Sequence, residues 1–336
     1  MHATSQQQHD ALFGGRLPEV EEVRPGVHAI PIDMPGMQPP YAYVYALLSG
    51  GPSREVHLVD AGLDSDENWA ALDAALRSLG RSVDDIASVT ITHLHRDHLG
   101  LAARMRAHSG ATVRMHEREA AAVRSGARYG GAEDAAASLE RWGVPAAERA
   151  ALAAVAAGQA AGEFSGDSGL VVDETVVDRA ELSLGPVTAL AIHTPGHTAG
   201  HLCLAVPSLG VVFTGDHVLP VINPGIALGG ERSADPLGEY YASLDRLAPY
   251  ADAEALPGHG FRFSSLGERC AEIRAHHGVR TREAASILAG DPGLSVWEVA
   301  RRITWTLGWD GLAGVNLLSA LAQTEMHMAR VRAAAA

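Results

Sequence analysis

The sequence predicts an α/β fold followed by an all-helical C-terminal segment, and three observations predict it. Short β-branched or alternating runs recur through residues 20–262, and several end on a histidine or an aspartate. Segments with helical spacing interrupt those runs. From Phe263 onward the strand rhythm stops and only helical periodicity remains.

In chain order, Val27 to Ile32 alternates, a Pro/Gly/Met loop covers Met34 to Pro40, and Tyr41 to Leu48 reads as a second strand. Glu55 to Val59 is a third, ending on Asp60-Ala61-Gly62. Helical spacing over Asn68 to Leu79 precedes the β-branched run Ser88 to Ile91. Ala-rich helical runs follow (Glu117 to Arg124, Ala132 to Trp142, Ala146 to Gln159), long enough to cover a site as a cap. Val187 to Ile192, Leu202 to Val206 and the run from Val211 return to strands. The helices beyond Phe263 run over Leu266 to Leu288, Val296 to Ile303 and Leu312 to Val331. Ser265 with Glu268, and Ser295 with Glu298, have the spacing of capping boxes.

The chemistry is concentrated in Thr92-His93-Leu94-His95-Arg96-Asp97-His98-Leu99-Gly100. Three imidazoles and a carboxylate fall within six residues, and Zn²⁺ accepts N and O donors of this kind. Extended backbone puts alternate side chains on one face, so His93 and His95 can grip one ion. The turn into a helix would aim Asp97 and His98 at a second position. Two adjacent positions fed by one loop suit catalysis, because structural zinc sites use four protein ligands around a single ion. His197 lies in a Gly/Pro loop between strand-like runs, Asp216 ends a hydrophobic strand, and His259 ends another. α/β folds build their sites at such strand ends.

This ordered series, HxHxDH, then GH, then GD, then GH, resembles the metallo-β-lactamase superfamily over roughly residues 20 to 262. The resemblance implies an αββα sandwich of that type. It also implies His93, His95 and His197 on a first metal, Asp97, His98 and His259 on a second, and Asp216 bridging. Asp97 would orient the nucleophile, and Asp60 would stand behind a ligand histidine as a supporting carboxylate. The donor set suits zinc, iron or manganese. The HxHxDH form goes mostly with zinc, and the iron-dependent relatives typically carry Glu where this chain has His95, so two Zn²⁺ per chain are expected. The C-terminal helices resemble the winged-helix-like tail of some superfamily hydrolases, with His276, His277 and Arg280 matching its polar signature. The implied division is a flexible N-terminal arm (1–19), a catalytic domain (20–262) with a helical cap at about 116–165, and the tail (263–336). His116, His201 and His217 are secondary candidates for contact with metal or substrate.

Composition narrows the function. A net charge of −14 disfavours nucleic acid as partner, and the absence of Lys excludes a Schiff-base lysine. Cys203 and Cys270 give no disulfide framework. There is no signal-peptide h-region and no apolar span of membrane length, so a cytoplasmic location with no membrane contact is expected. The segments Met34 to Tyr41 and Val218 to Gly230 are apolar, with Arg232 the one cation nearby in sequence. A small, partly apolar substrate follows. The expected enzyme is a metallo-β-lactamase-fold hydrolase in which a dinuclear zinc-activated hydroxide cleaves an ester-like bond (thioester, lactone or β-lactam). The alternatives are an endoribonuclease of the same superfamily, a mononuclear iron persulfide-type oxygenase, and a non-catalytic binder. Eight Arg against seven acidic residues leave the tail nearly neutral, which suits packing or a homodimer better than DNA.

Overall fold

The hairpin Val27–Asp33 and Tyr41–Leu48 is buried along almost its whole length, so both of its faces need cover. A computed structural model, describing residues 1–125, 132–163, 169–231, 233–306 and 308–335, provides that cover as four layers: helix, sheet, sheet, helix. The strands are β1 (His2–Ala3), β2 (Glu21–Arg24), β3 (Val27–Asp33), β4 (Tyr41–Leu48), β5 (Val56–Val59), β6 (Ile86–Thr90) and β7 (Thr112–His116). After them come β8 (Glu174–Val176), β9 (Glu181–Leu184), β10 (Val187–His193), β11 (Leu202–Val206), β12 (Val211–Gly215), β13 (Glu254–Pro257) and β14 (Phe263–Ser264). One sheet has the order β2-β3-β4-β5-β6-β7-β8, and the other β1-β14-β13-β12-β11-β10-β9. The helices are α1 (Gln6–Phe13), α2 (Asp66–Ser78), α3 (Arg96–Leu99), α4 (Ala102–Ser109), α5 (Glu117–Ser125) and α6 (Ala132–Arg141). Then follow α7 (Ala146–Glu163), α8 (Pro236–Arg246), α9 (Leu266–Gly290), α10 (Val296–Ala300) and α11 (Gly314–Ala335).

The two-residue pleat sorts each strand between layers. In β4, Tyr41, Tyr43, Tyr45 and Leu47 face the opposite sheet and pack with Leu204, Phe213 and Leu256. Val44 and Ala46 face outward, in the cluster that holds Leu72 and Leu76 of α2 and Met105 of α4. In β11, Leu202 and Leu204 join the inter-sheet core, whereas Cys203 and Ala205 pack with α8 and the start of α9. The metallo-β-lactamase sandwich expected from the motifs is the architecture found.

Parallel pairing sets the direction of the functional loops. Strands β5, β6, β7 and β8 run parallel in one sheet, and β12 and β13 run parallel in the other. Their C-terminal ends lead into Asp60, the His93–His98 segment, Glu119, Asp216 and His259.

Several expectations need correction. Within the N-terminal arm expected at 1–19, β1 pairs with β14, and Ala11 and Gln8 of α1 are fully buried. The segment from His93 to His95 is a bend beyond the end of β6, not strand. Ser265 caps nothing with its side chain, while Ser295 and Glu298 do form the reciprocal capping box. The tail is helical as expected, built from α9, α10 and α11. Within the described part of the helical insertion, α5 carries Glu119 toward the His93–His95 segment, and α6 and α7 pack elsewhere. Leu139, Trp142, Val144 and Leu152 instead share one core with Leu288, Val299, Leu317 and Leu321 of the tail. The apolar faces of the tail helices are therefore covered in large part within the chain. Among the described residues, no helix is long and apolar enough to cross a membrane.

Candidate metal centre

Five histidines converge, and each is held from behind. His95 Nε2 lies 2.7 Å from the Leu228 carbonyl, His197 Nδ1 2.8 Å from Gly225 O, and His259 Nδ1 2.6 Å from Tyr41 O. A carbonyl only accepts, so those three ring nitrogens carry a proton and the opposite ones are turned toward the centre. His98 Nδ1 faces Asp60 Oδ2 at 2.7 Å, and His93 Nδ1 faces the Thr92 hydroxyl at 3.0 Å. Asp60 also accepts the Thr92 backbone N–H at 2.7 Å, which ties the motif loop to the end of β5.

The inward atoms form two overlapping groups. His93 Nε2 and His197 Nε2 lie 2.9 and 3.1 Å from His95 Nδ1. His259 Nε2 lies 3.3 Å from His98 Nε2 and 3.2 Å from Asp97 Oδ2. Asp216 joins them: Oδ2 is 3.3 Å from His259 and 3.8 Å from His197, and Oδ1 is 3.5 Å from His98. Within His93/His95/His197, within His93/His98/Asp216 and within Asp97/His98/His259, one ligand atom per residue lies within 4.8 Å of the others. All seven positions singled out by the motifs are thus brought together, with Asp60 behind them.

The two groups differ in charge. Burial, reinforced by neighbouring imidazoles, holds His93 well below its ordinary pKa and takes His197 down to about 4. Burial acts the same way on His98 and His259, but Asp216 and Asp97 outweigh it. His98 is raised well above its usual value and His259 reaches about 10. Against burial, the same pairing holds Asp97 and Asp216 well below the carboxylate range. One group presents imidazole nitrogen only, and the other adds carboxylate oxygen.

The donor set fits a borderline metal ion. Imidazoles and carboxylates with no thiolate suit Zn, Fe or Mn. Asp216 Oδ1 is buried without a hydrogen-bond partner, an acceptor aimed into the cluster. His201 lies behind the group, its Nε2 accepting the Asp216 N–H at 3.2 Å. His217 is buried, and His116 stacks on His193 with ring centroids 4.0 Å apart. Among the described residues, none of these three belongs to a group that could hold a metal.

Beside the cluster lies a cavity of about 340 Å³, lined by His95, Asp97, His197 and Asp216 on one side. Met37, Leu219, Ile222, Pro224 and Leu228, all from the two apolar segments noted in the sequence, supply the other. Arg232 lies outside the described residues. Two residues escaped the sequence reading. Arg96 also lines the cavity, from the unassigned position within the HxHxDH motif. Glu119 is fully buried and accepts the Leu94 N–H at 2.8 Å and the Gly200 N–H at 2.5 Å. Its one sequence signal is position, three residues beyond a strand that ends at His116.

A profile described as the Metallo-beta-lactamase superfamily matches residues 38–259. Among solved structures, a metallo-beta-lactamase family protein from Thermus thermophilus is 26% identical, with a TM-score of 0.68 over 94% of this chain and 96% of that one. A beta-lactamase domain protein from Burkholderia ambifaria has a TM-score of 0.75 at 23% identity, over 96% and 92% of the two chains. A curated relative from Aspergillus chevalieri, an atrochrysone carboxyl ACP thioesterase, is 27% identical over 144 residues, 41% of this chain and 44% of that protein. Other curated relatives match over about a third of their length. The profile spans most of the chain and encloses every clustered ligand position from His93 to His259, so the chain belongs to the metallo-beta-lactamase superfamily.

Proposed function

We propose that this protein is a hydrolase that cleaves acyl thioesters and related ester-like bonds, lactones included, in small substrates with hydrocarbon bulk, and that it works with two zinc ions. His93, His95 and His197 would hold one ion, and Asp97, His98 and His259 the other. Asp216 would stand between them and Asp60 behind His98. One observation carries the ligand assignment: five imidazoles have their outer nitrogens anchored, so their inner ones converge on the same space as two carboxylates.

When bound, such a metal pair supplies Lewis acidity and a water of lowered pKa. The chain's own residues do the remaining work. Asp97, on the cavity wall and 3.2 Å from His259 Nε2, orients the attacking water. Leu219, Ile222, Pro224 and Leu228 seat the acyl chain and exclude bulk water from it. The thioesterase from Aspergillus chevalieri supports the choice of a thioester as first substrate class.

The test combines elemental analysis with a panel of thioesters of two to eight acyl carbons, lactones, a β-lactam and RNA. The reading expects two zinc ions per chain and kcat/KM rising with acyl length. Each buried CH₂ contributes about 0.8 kcal/mol, roughly fourfold per carbon at best. One iron per chain, or a flat length profile together with salt-sensitive RNA cleavage, overturns it.

A further inference from the structure

We infer that Glu119 is the positioning residue of the first ligand group, a carboxylate clamp that fixes the His93–His95 bend against the His197–Gly200 loop. The inference rests on the ligand assignment proposed above.

The bend from Thr92 to His95 lies outside any strand ladder, so its backbone N–H groups need other partners. The Leu94 N–H, between two ligand histidines in sequence, is taken by one oxygen of Glu119 at 2.8 Å. The other oxygen takes the Gly200 N–H at 2.5 Å, three residues beyond His197. One side chain thus bridges the two backbone segments that carry His93, His95 and His197. Hydrogen bonds are directional, so two donors on opposite oxygens fix the side chain between the two segments.

The loop is shaped to meet that carboxylate. A Cβ on Gly200 would come within 2.8 Å of Glu119 Cγ, its backbone N and Oε1, so the glycine permits the close approach. Glu119 itself is rigidly supported, because α5 begins at Glu117 directly after β7 and packs Ala120 into the core. Among the described residues, its carboxylate does not belong to any of the groups that could hold a metal. Supporting carboxylates near metal sites act by orienting ligands, and their loss typically lowers metal affinity by 10–100-fold.

Glu119→Gln tests this in the full chain. The amide keeps the volume but has one acceptor oxygen, so one of the two backbone donors must lose its partner. The first measurement is zinc binding, by competition with a chelator, for wild type and variant. One zinc of the variant should bind 10–100-fold more weakly, with the other affinity unchanged. The second is hydrogen exchange of the zinc-free chain, where peptides spanning 92–98 and 196–201 should exchange faster together while the rest of the molecule does not change. Glu119→Asp, whose shorter side chain keeps the charge but cannot span both donors, should show the same loss of affinity.

Unchanged affinity in both variants, or weakening of both zinc ions alongside a global rise in exchange, overturns the clamp. If Glu119→Gln does not fold, Glu119→Asp decides on the same readouts. Wild type binding two ions with no variant effect refutes the clamp and leaves the dinuclear reading intact. Wild type binding one ion refutes the dinuclear reading, and the variant comparison is then made at that ion. Wild type binding none refutes both.

Discussion

His98 Nδ1 lies 2.7 Å from Asp60 Oδ2, and the same carboxylate receives both the backbone N–H and the hydroxyl of Thr92. Asp60 adopts a positive φ of 63°, which Asn tolerates well. Asp60→Asn should therefore keep the backbone, yet its single carbonyl oxygen cannot serve all three donors. A 10–100-fold loss of metal affinity with an unchanged far-UV spectrum is expected, read by chelator competition.

Asp216 reaches His98, His197 and His259 from one carboxylate. Asp216→Ala removes those contacts and its partnerless buried oxygen at once. Metal content should drop to one ion per chain or fewer, and hydrolysis should be lost while the fold persists. Near-wild-type turnover would show that no shared ligand is needed.

The pH dependence of stability carries a signature of Glu119. Burial, only partly offset by the Gly200 N–H, pushes its carboxyl from the unfolded value of 4.5 up to about 7. The native state therefore favours the protonated form. That stabilisation is complete below pH 4.5, on the order of 3 kcal/mol, and is lost as pH rises through 7. Glutamine does not titrate. In metal-free protein, the urea midpoint of wild type relative to Glu119→Gln should fall as pH rises from 4.5 to about 7. Parallel profiles would contradict the shift.

Ile222 is 47% exposed at the cavity rim. Ile222→Ser should lower kcat/KM for an octanoyl thioester several-fold and leave an acetyl thioester almost unaffected. Equal losses on both substrates would place the acyl chain elsewhere.

Leu321 is fully buried in the core shared by the insertion and the tail. Leu321→Ala should cost about 2–5 kcal/mol, seen as a lower urea midpoint. Zinc binding by the folded fraction should not change, because every proposed ligand precedes Gly260.

His197, Asp216 and His259 were legible because each follows a hydrophobic run and sits beside glycine, a local pattern that reports a strand end. Glu119 was not, since a glutamate in the Ala-rich run Glu117–Ser125 carries the same signal as any solvated helix position. Its role comes from two backbone donors, 25 and 81 residues away. The helical insertion shows a similar limit. Leu139 of α6 and Leu152 of α7 are apolar positions in helical runs, but the spacing along each helix says nothing of which partner buries it.

That shared core has a consequence for biosynthesis. Leu139 and Trp142 leave the ribosome long before Leu317 and Leu321, which help to cover them. At 5–20 residues per second the gap lasts roughly 10–40 s, with an apolar surface uncovered on an otherwise advanced nascent chain. Slow translation of the final stretch of codons lengthens that exposure. The yield of folded protein should therefore depend on chaperone supply and on codon choice near the 3′ end of the message more than on anything at the metal centre.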